Sequence, residues 1–522
     1  MEFFYGVAFY GVMDNLVTYL TTAMRESNAA AARGVSTWQA TCFLTPLAGA
    51  LLADSCWGAH RTMLAAFSVA VAGLLMVFLS ALVPLLDKSS EAAAAHMGAS
   101  RPEIVLFIGL YMAAIGLGGL RPCIMSFGAD QFDDGDPSER AAKASFINWY
   151  VFIMSCSSLA ASTAVVWVRD HHGWALGLSI PAVVLAAGLP CLIAGARSYK
   201  FQRPRGSPLT GICQVVVAAV RKFHVAPPAD SSLLYNLLED DDCAIKGVQR
   251  IEHTTGLRSF DKAAVVAASD TEAAAVEPGR RNPWRLCPVT QVEEVKILAR
   301  MLPVWVTILF FYTASAQASS TFVEQGIAMD VSVGSVRVPP ATMITFFELS
   351  IIVLIPLYDR ALVPAARRLT GREEGIPALL RIGVGLGLSV LAMAAAALVE
   401  AARQGTPTSI LWQVLQYAGV GAGEVFTTVG QFEFFYGQAP AAMRTVCAAL
   451  GMLDMAAGDY LSSLVLAAVQ WATSAGGRPG WIPDDVDQGH LDRFFWMMAG
   501  LGCVNLVAFA GCALRYNSSR PA

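Results

Sequence analysis

Twelve stretches of about twenty predominantly apolar residues, each long enough to cross the ~30 Å hydrocarbon core of a bilayer as a helix, constrain this 522-residue chain more than any other feature. They lie near 1–24, 37–57, 62–86, 103–127, 144–168, 173–196, 293–317, 338–358, 375–400, 408–436, 443–472 and 490–514. Apolar residues make up 55% of the chain and charged residues 15%, against about 45–50% and about 25% in soluble globular proteins; mean hydropathy is +0.52. Such a composition excludes a disordered chain, a coiled coil and a nucleic-acid binder, and argues against a water-soluble enzyme, because it cannot supply the polar surface a globule of this size needs. The net charge of -4 singles out no charged partner. The 11 cysteines are scattered without a CxxC pair, and most sit in apolar runs (Cys42, Cys123, Cys156, Cys191, Cys447, Cys503), so they read as small buried hydrophobes. No zinc or iron–sulfur spacing is present, no metal or cofactor is expected, and no secretory signal peptide is visible.

Several stretches are interrupted, the fourth by Gly116, Gly118, Gly119 and Pro122. Lipid tolerates such breaks where neighbouring helices or a wet cavity satisfy the freed backbone groups, which predicts packed helices around a pathway. Between the sixth and seventh stretches lies a polar segment, 197–292, with an acidic run Glu239-Asp240-Asp241-Asp242. Within it Ile212 to Val220 is apolar but too short to span, and Arg221, Lys222 and His224 follow. That pattern predicts a helix lying on the membrane surface or on the bundle. The expected architecture is an all-α membrane protein of the major facilitator fold: 12 transmembrane helices in two six-helix bundles, 1–196 and 293–514, a linker at 197–292 with a lateral amphipathic helix, and a short tail at 515–522. In such a fold the solute binds between the halves near the midplane.

An even number of spans puts both termini on one side. Lysine and arginine in the short loops are nearly balanced between the two sides, but the linker flanks add Arg197, Lys200, Arg203, Arg205, Arg280, Arg281 and Arg285. The positive-inside rule then places both termini and the linker in the cytoplasm, where the sequon at Asn517 would stay unglycosylated. The plasma membrane is the default site, with the vacuolar membrane as the alternative.

The turn between the second and third stretches, Gly49-Ala-Leu-Leu-Ala-Asp54-Ser-Cys-Trp-Gly58-Ala-His-Arg61-Thr62, is similar to the facilitator signature G-x-L-A-D-x-x-G-x-x-x-T, and Tyr358-Asp359-Arg360 is its counterpart in the second half. Small residues allow close approach, and the acid can face a neighbouring helix N-terminus or an arginine. Asp54, Arg61, Asp359 and Arg360 are therefore candidate latch residues, with Glu433 as a further gate or packing residue; an ordinary short loop is the bland alternative.

More specific segments follow: Asn15-Leu-Val-Thr-Tyr-Leu, Gly118-Gly-Leu-Arg-Pro-Cys, Phe127-Gly-Ala-Asp-Gln-Phe-Asp, Asn148-Trp149, Pro339-Pro340, Thr370-Gly371, Arg381-Ile-Gly, Glu424-Val-Phe-Thr-Thr-Val-Gly-Gln-Phe-Glu-Phe-Phe-Tyr436 and Gly489-His-Leu-Asp. On these the chain resembles the proton-dependent oligopeptide transporters, and within them the plant nitrate/peptide transporter family, along nearly its whole length. The resemblance implies a substrate–proton symporter working by alternating access. The first helix departs from the family's E-x-x-E-R-F-x-Y-Y-G. Glu2 keeps the first acid, Tyr5 stands for the second and Gly6 for the arginine, which puts the usual proton coupling in doubt. The chain starts at this helix without the tail usual in the family, as a shortened chain would.

Acids within the spans (Asp14, Glu348, Glu424, Asp454, Asp459) outnumber the cations Arg121, Lys296 and Arg300. Each costs about 2.5–3.5 kcal/mol at the bilayer centre on insertion scales, so each needs a partner, water or neutrality; structural hydrogen bonding between helices is the bland alternative. Arg121 stands where the family has a transport-critical lysine. Since arginine stays charged, it would act as a fixed cation for a solute carboxylate or Glu2, unless it snorkels to water. Glu424 matches the family's span-ten acid, which can pair with a solute amine. Ser315, before Ala316-Gln317, stands where some relatives carry a nitrate-binding histidine, and all seven histidines lie outside the spans or at their edges. Tyr5, Tyr10, Trp305 and Tyr312 offer rings that suit an amphipathic organic anion or simply pack. Gln317 and Gln416 complete the candidate set. The expected function is proton-coupled symport of a small nitrogenous or organic solute: nitrate, a di- or tripeptide, or a plant hormone or metabolite. The rivals are a proton-independent facilitator of the same fold and a non-transporting sensor using the linker. No GxSxG, HExxH or Rossmann turn supports an enzyme.

Overall fold

The computed structural model describes residues 1–25, 28–86, 101–133, 135–201, 206–228, 230, 233–235, 251–266, 282–371, 375–440, 442–474, 480–483 and 486–518. The acidic run 239–242 and Arg203, Arg205, Arg280, Arg281, Arg372 and Arg520 lie outside them. The first half is built of α1 (Glu2–Thr18), α2 (Asn28–Leu52), α3 (Ala59–Leu86), α4 (Arg101–Ala129), α5 (Pro137–Ala160) and α6 (Trp174–Gly195). After the lateral helix α7 (Pro208–Arg221) come α8 (Val289–Ser315), α9 (Ile344–Leu357), α10 (Ala378–Gly405), α11 (Gln413–Gln438), α12 (Arg444–Thr473) and α13 (Leu491–Ser518). Among the described residues, 10 helical runs are long and apolar enough to cross a membrane. α1 and α11 fill the other two expected places and are more polar, because α1 carries Glu2, Asp14 and Asn15 and α11 carries Gln413, Gln416, Glu424, Gln431 and Glu433. One small departure from an all-helical chain is a two-stranded hairpin, Ser332–Val333 against Val336–Arg337, turned through Gly334 at φ +62°.

Local sequence sets the helix ends. Asp136 caps α5 by accepting from Ser138 N (2.9 Å) and Ser138 Oγ (3.0 Å), ahead of Pro137 in the first turn. Those donors hold the Asp136 carboxyl below its usual range. Single π-helical turns follow α2 at Ala53–Trp57 and α9 at Tyr358–Leu362, in corresponding places of the two halves. Each carries one of the acids singled out above, Asp54 or Asp359, and π turns often mark functional places in helices.

The helices of the first half approach to backbone contact where glycine removes the side chain. A Cβ at Gly73 would lie 2.4 Å from Ala113 N, and one at Gly116 would lie 2.4 Å from Ala70 N, both across the α3–α4 seam. Without a hydrophobic drive between helices in lipid, such close packing supplies the attraction.

The linker is more than a tether. Val215 and Ala218 of α7, Leu234, Ala263, Ala264 and Cys287 pack with Val289, Val292 and Val295 of α8 into a core of their own. Lys296, fully buried, lies 2.6 Å from Asp261 Oδ1 and 2.7 Å from Glu293 Oε1, and donates to Thr254 O at 3.0 Å. Glu293 also accepts from Thr254 N (3.1 Å) and Thr254 Oγ1 (2.6 Å), and Arg300 donates to Thr254 Oγ1. Two of the cations expected within the membrane, Lys296 and Arg300, thus pin residues 251–266 to the start of α8. His253, Asp261 and Glu293 cluster as metal ligands do, but the Lys296 ammonium already bonds both carboxylates. The expected helix at 212–220 is present as α7, which rests on this core and leaves Val216, Val220 and Phe223 exposed.

Two outcomes follow from this packing. Gly116→Leu drives a side chain into the α3 backbone and should cost about 1–3 kcal/mol, read as a lower unfolding temperature in detergent. Lys296→Met leaves buried carboxylates without their ammonium, worth about 3–5 kcal/mol. It should open residues 251–266 to limited proteolysis, and an unchanged digestion pattern would count against the anchoring role of Lys296.

Candidate functional site

Glu2, Tyr5 and Phe9 recur at helical spacing and share one face of α1. The Tyr5 and Phe9 rings stack with centroids 5.9 Å apart, and Phe9 stacks on Trp38 at 5.8 Å, whose indole N–H donates to Leu110 O at 2.9 Å. Against this wall sits Arg121 of α4, only 5% exposed, so it does not snorkel. Its guanidinium carbon lies 5.9 Å from the Tyr5 ring centre and 6.0 Å from that of Phe9. Its Nη2 meets Met455 Sδ of the second bundle at 3.6 Å and Met154 Sδ at 3.9 Å. Tyr5, standing where the family has an acid, therefore faces the cation with a ring. Glu2, Tyr10 and Tyr150 lie within the electrostatic reach of Arg121. Where the family has arginine, Gly6 is pressed onto α5: a Cβ there would lie 1.8 Å from Ser157 Oγ. An arginine at this position requires α1 and α5 to part.

Facing Arg121 from the second bundle is Glu424 of α11, buried and beside Ser315, with Glu348 and Asp459 as acidic neighbours. Glu348 of α9 lies against Ser155 and Ser158 of α5, with Asp14 nearby. Tyr10 reaches both Arg121 and the pair Glu348 and Glu424. The centre between the bundles thus gathers Glu2, Tyr5, Tyr10, Arg121, Ser315, Glu348 and Glu424, with Asp14 at its exposed margin. Tyr312 lies on the Glu424 side, its hydroxyl donating to Gln431 Oε1 at 2.7 Å. Trp305 ties α8 to α12 by donating to Leu450 O at 2.8 Å. Gln317 and Gln416 make their amide hydrogen bonds within the second bundle. Gln317 donates to Thr313 O (2.9 Å) and Ser462 Oγ (2.8 Å), and Gln416 donates to Gln325 Oε1 (2.8 Å).

At the linker end, hydrogen bonds join the two bundles. Asp54 Oδ2 accepts from the N–H of Val446 (3.0 Å), in the first turn of α12. The acid thus faces a helix N-terminus of the other half. Asp359 accepts from Ser145 Oγ (2.9 Å), Asn148 Nδ2 (2.7 Å) and Trp149 Nε1 (3.2 Å), all on α5. Arg381 of α10 donates to Glu433 Oε2 (3.0 Å) and to Asn148 Oδ1 (2.5 Å), and lies 4.1 Å from the Tyr358 ring centre. Asp130 accepts from Tyr436 and, at 3.0 Å, from Arg444. Arg360 covers the Trp149 ring at 5.7 Å, while Arg61 is exposed and makes no such contact among the described residues. Of the candidate latch residues, Asp54, Asp359, Arg360 and Glu433 meet here. Asp130, Asn148, Arg381, Tyr436 and Arg444 join them; the sequence signalled all but Arg444 only as parts of the distinctive segments.

A profile of the POT family matches residues 60–482. The chain is 45% identical to NRT1/PTR FAMILY 8.3 of Arabidopsis thaliana, over 98% of this chain and 89% of that protein. It is 44% identical to NRT1/PTR FAMILY 8.5 of the same plant, over 98% and 88%. In fold it is similar to the POT family transporter PepTSo, with a TM-score of 0.62 at 21% identity over 99% of this chain and 97% of that one. It is also similar to an auto-inhibited POT family peptide transporter, with a TM-score of 0.61 at 22% identity over 100% and 97%. These are membrane transporters, not enzymes, and a centre of opposed charges between two latched bundles suits such a protein; the chain belongs to the POT family, among its plant NRT1/PTR relatives.

Proposed function

We propose that the chain is a proton-coupled symporter of small solutes that carry both an acidic and an amino group, with di- and tripeptides as the leading class. The observation that carries this reading is the opposition of Arg121, on the first bundle, to Glu424 on the second, with Glu348 beside Glu424. A solute with an anionic end at Arg121 and an ammonium at Glu424 satisfies both bundles at once. A bare anion such as nitrate meets one cation among several carboxyl groups, and Ser315 offers it no histidine. Solved structures of this fold include peptide transporters and one in complex with 5-aminolevulinic acid, itself an amino acid.

Alternating access supplies the mechanism. The linker end, with both termini, faces the cytoplasm of the plasma membrane, or of the vacuolar membrane as the alternative, and is latched shut in this conformation. Binding at the centre draws the bundles together around the solute, and release follows once the Asp54, Asp130 and Asp359 bonds break. The rival reading, a facilitator without protons, draws on Tyr5 and Gly6, which replace the first-helix acid and arginine.

Uptake of a labelled dipeptide and of nitrate into cells expressing the protein, at acidic and neutral external pH with and without a protonophore, separates these readings. Dipeptide uptake that rises in acid and collapses with the protonophore is expected; pH-independent uptake supports the facilitator. Glu424→Gln removes a charge-assisted bond and should lower dipeptide uptake at least about tenfold at unchanged membrane abundance. Asp359→Ala removes three acceptor contacts across the bundles. It should lengthen the distance between spin labels on α5 and α9 at the linker end, and an unaltered distance distribution would remove Asp359 from the latch.

A further inference from the structure

Asp454 lies within α12, 0% exposed, and no cation among the described residues pairs with it. Its Oδ2 accepts from Gln431 Nε2 at 2.9 Å, and the same nitrogen donates to Gly451 O. A backbone carbonyl can only accept, so the Gln431 amide has one allowed orientation: nitrogen toward Gly451 and Asp454, oxygen toward Tyr312. The Tyr312 proton is then committed to Gln431 Oε1 (2.7 Å), and Thr428 Oγ1 must donate to the Tyr312 oxygen (3.0 Å). The result is a one-way chain of donors, Thr428 to Tyr312 to Gln431 to Asp454. It starts beside Glu424 and ends on a carboxyl whose other oxygen, Oδ1, is buried without a partner.

The groups around Asp454 give it no counter-charge. α8 presents the phenol of Tyr312 and α11 the amide of Gln431. α4 presents Arg121 to the neighbouring Met455, and α2 presents Asp54 to the far N-terminal turn of α12. Ala316–Ser319 brings Gln317, which is bonded to Ser462. Removing a single partner from a buried ion pair already costs about 3–5 kcal/mol, so an ionised carboxylate here needs water beside it. Three acids of the centre differ in this respect: Glu2 lies within reach of Arg121, Glu348 lies against the serines of α5 and Glu424 lies beside Ser315, whereas Asp454 has, among the described residues, the neutral Gln431 amide alone.

We propose that Asp454 is a proton-binding site of the transport cycle, read out through Gln431 and Tyr312. Enclosed, as here, it is the carboxylic acid. When the linker end opens and water reaches α12, the O–H bond breaks and the proton passes to that water; once the linker end has closed, the carboxylate takes a new proton from water admitted from the opposite side of the membrane. A solute that shifts Tyr312 changes the donor reaching Gln431, and so couples occupancy of the centre to the charge on Asp454.

This inference rests on the proton-coupled reading above, and the test separates the two. Purified protein in liposomes is given a labelled dipeptide with an inward proton gradient, and separately in counterflow with no gradient. The wild type should accumulate the dipeptide on the gradient and exchange it in counterflow. Asp454→Asn, which keeps an acceptor for Gln431, should lose accumulation and retain exchange, and Asp454→Glu should regain accumulation. If Asp454→Asn does not reach the membrane, Asp454→Ser, which offers Gln431 a hydroxyl, is read in the same way. Accumulation by Asp454→Asn equal to the wild type overturns the role of Asp454 alone. A wild type that exchanges but never accumulates overturns the coupled reading, and this inference with it.

Discussion

A guanidinium enclosed by apolar helices has to be compensated where it lies, and that requirement organises the centre of this protein. Arg121 is buried on α4, on the side that meets α1, α5 and α12. The family's compensating acid and arginine on the first helix are absent. Two rings from α1, two thioethers and the carboxyl of Glu2 surround the cation instead. Aromatic faces attract a cation without neutralising its charge, so Arg121 keeps most of its capacity for an anionic group arriving from outside. The acids of the second bundle are set against it rather than bound to it.

The same logic separates the centre from the linker end. There the charged groups have direct partners: Asp359 has three neutral donors of α5, Arg381 has Glu433 and Asn148, and Asp130 has Arg444 and Tyr436. Asn148 is the hinge of this arrangement, since its amide donates to Asp359 and its carbonyl accepts from Arg381. One uncharged residue of the first bundle thereby holds an acid and a base of the second.

The architecture was legible because lipid imposes length and apolarity on every span, and both can be counted. Membership in the family was legible from Gly-Ala-Asp-Gln-Phe-Asp and the Glu424 segment. The centre was partly legible: an intramembrane Arg121, Glu424 or Glu348 is conspicuous by its cost. At the linker end the sequence pointed to Asp54, Asp359, Arg360 and Glu433 but not to their partners, because pairs such as Asn148 and Asp359 lie 211 residues apart and only the fold brings them together. Lys296 and Arg300 were expected among the membrane charges, yet α8 runs beyond its apolar part into the linker core, where both serve residues 251–266. Gln317 and Gln416 are conspicuous in sequence as polar residues in apolar helices, but the partners of their amide donors within the second bundle could not be read there.

The central claim is that Arg121 and the Glu424 side grip opposite ends of one solute. Competition against labelled dipeptide uptake tests it most directly, using the unmodified dipeptide, its N-acetyl form and its C-terminal amide on the wild type and on Arg121→Gln. The account predicts that both blocked forms compete poorly with the wild type, and that Arg121→Gln no longer distinguishes the free acid from the amide. Equal competition by all three with the wild type, or full discrimination by Arg121→Gln, would contradict it.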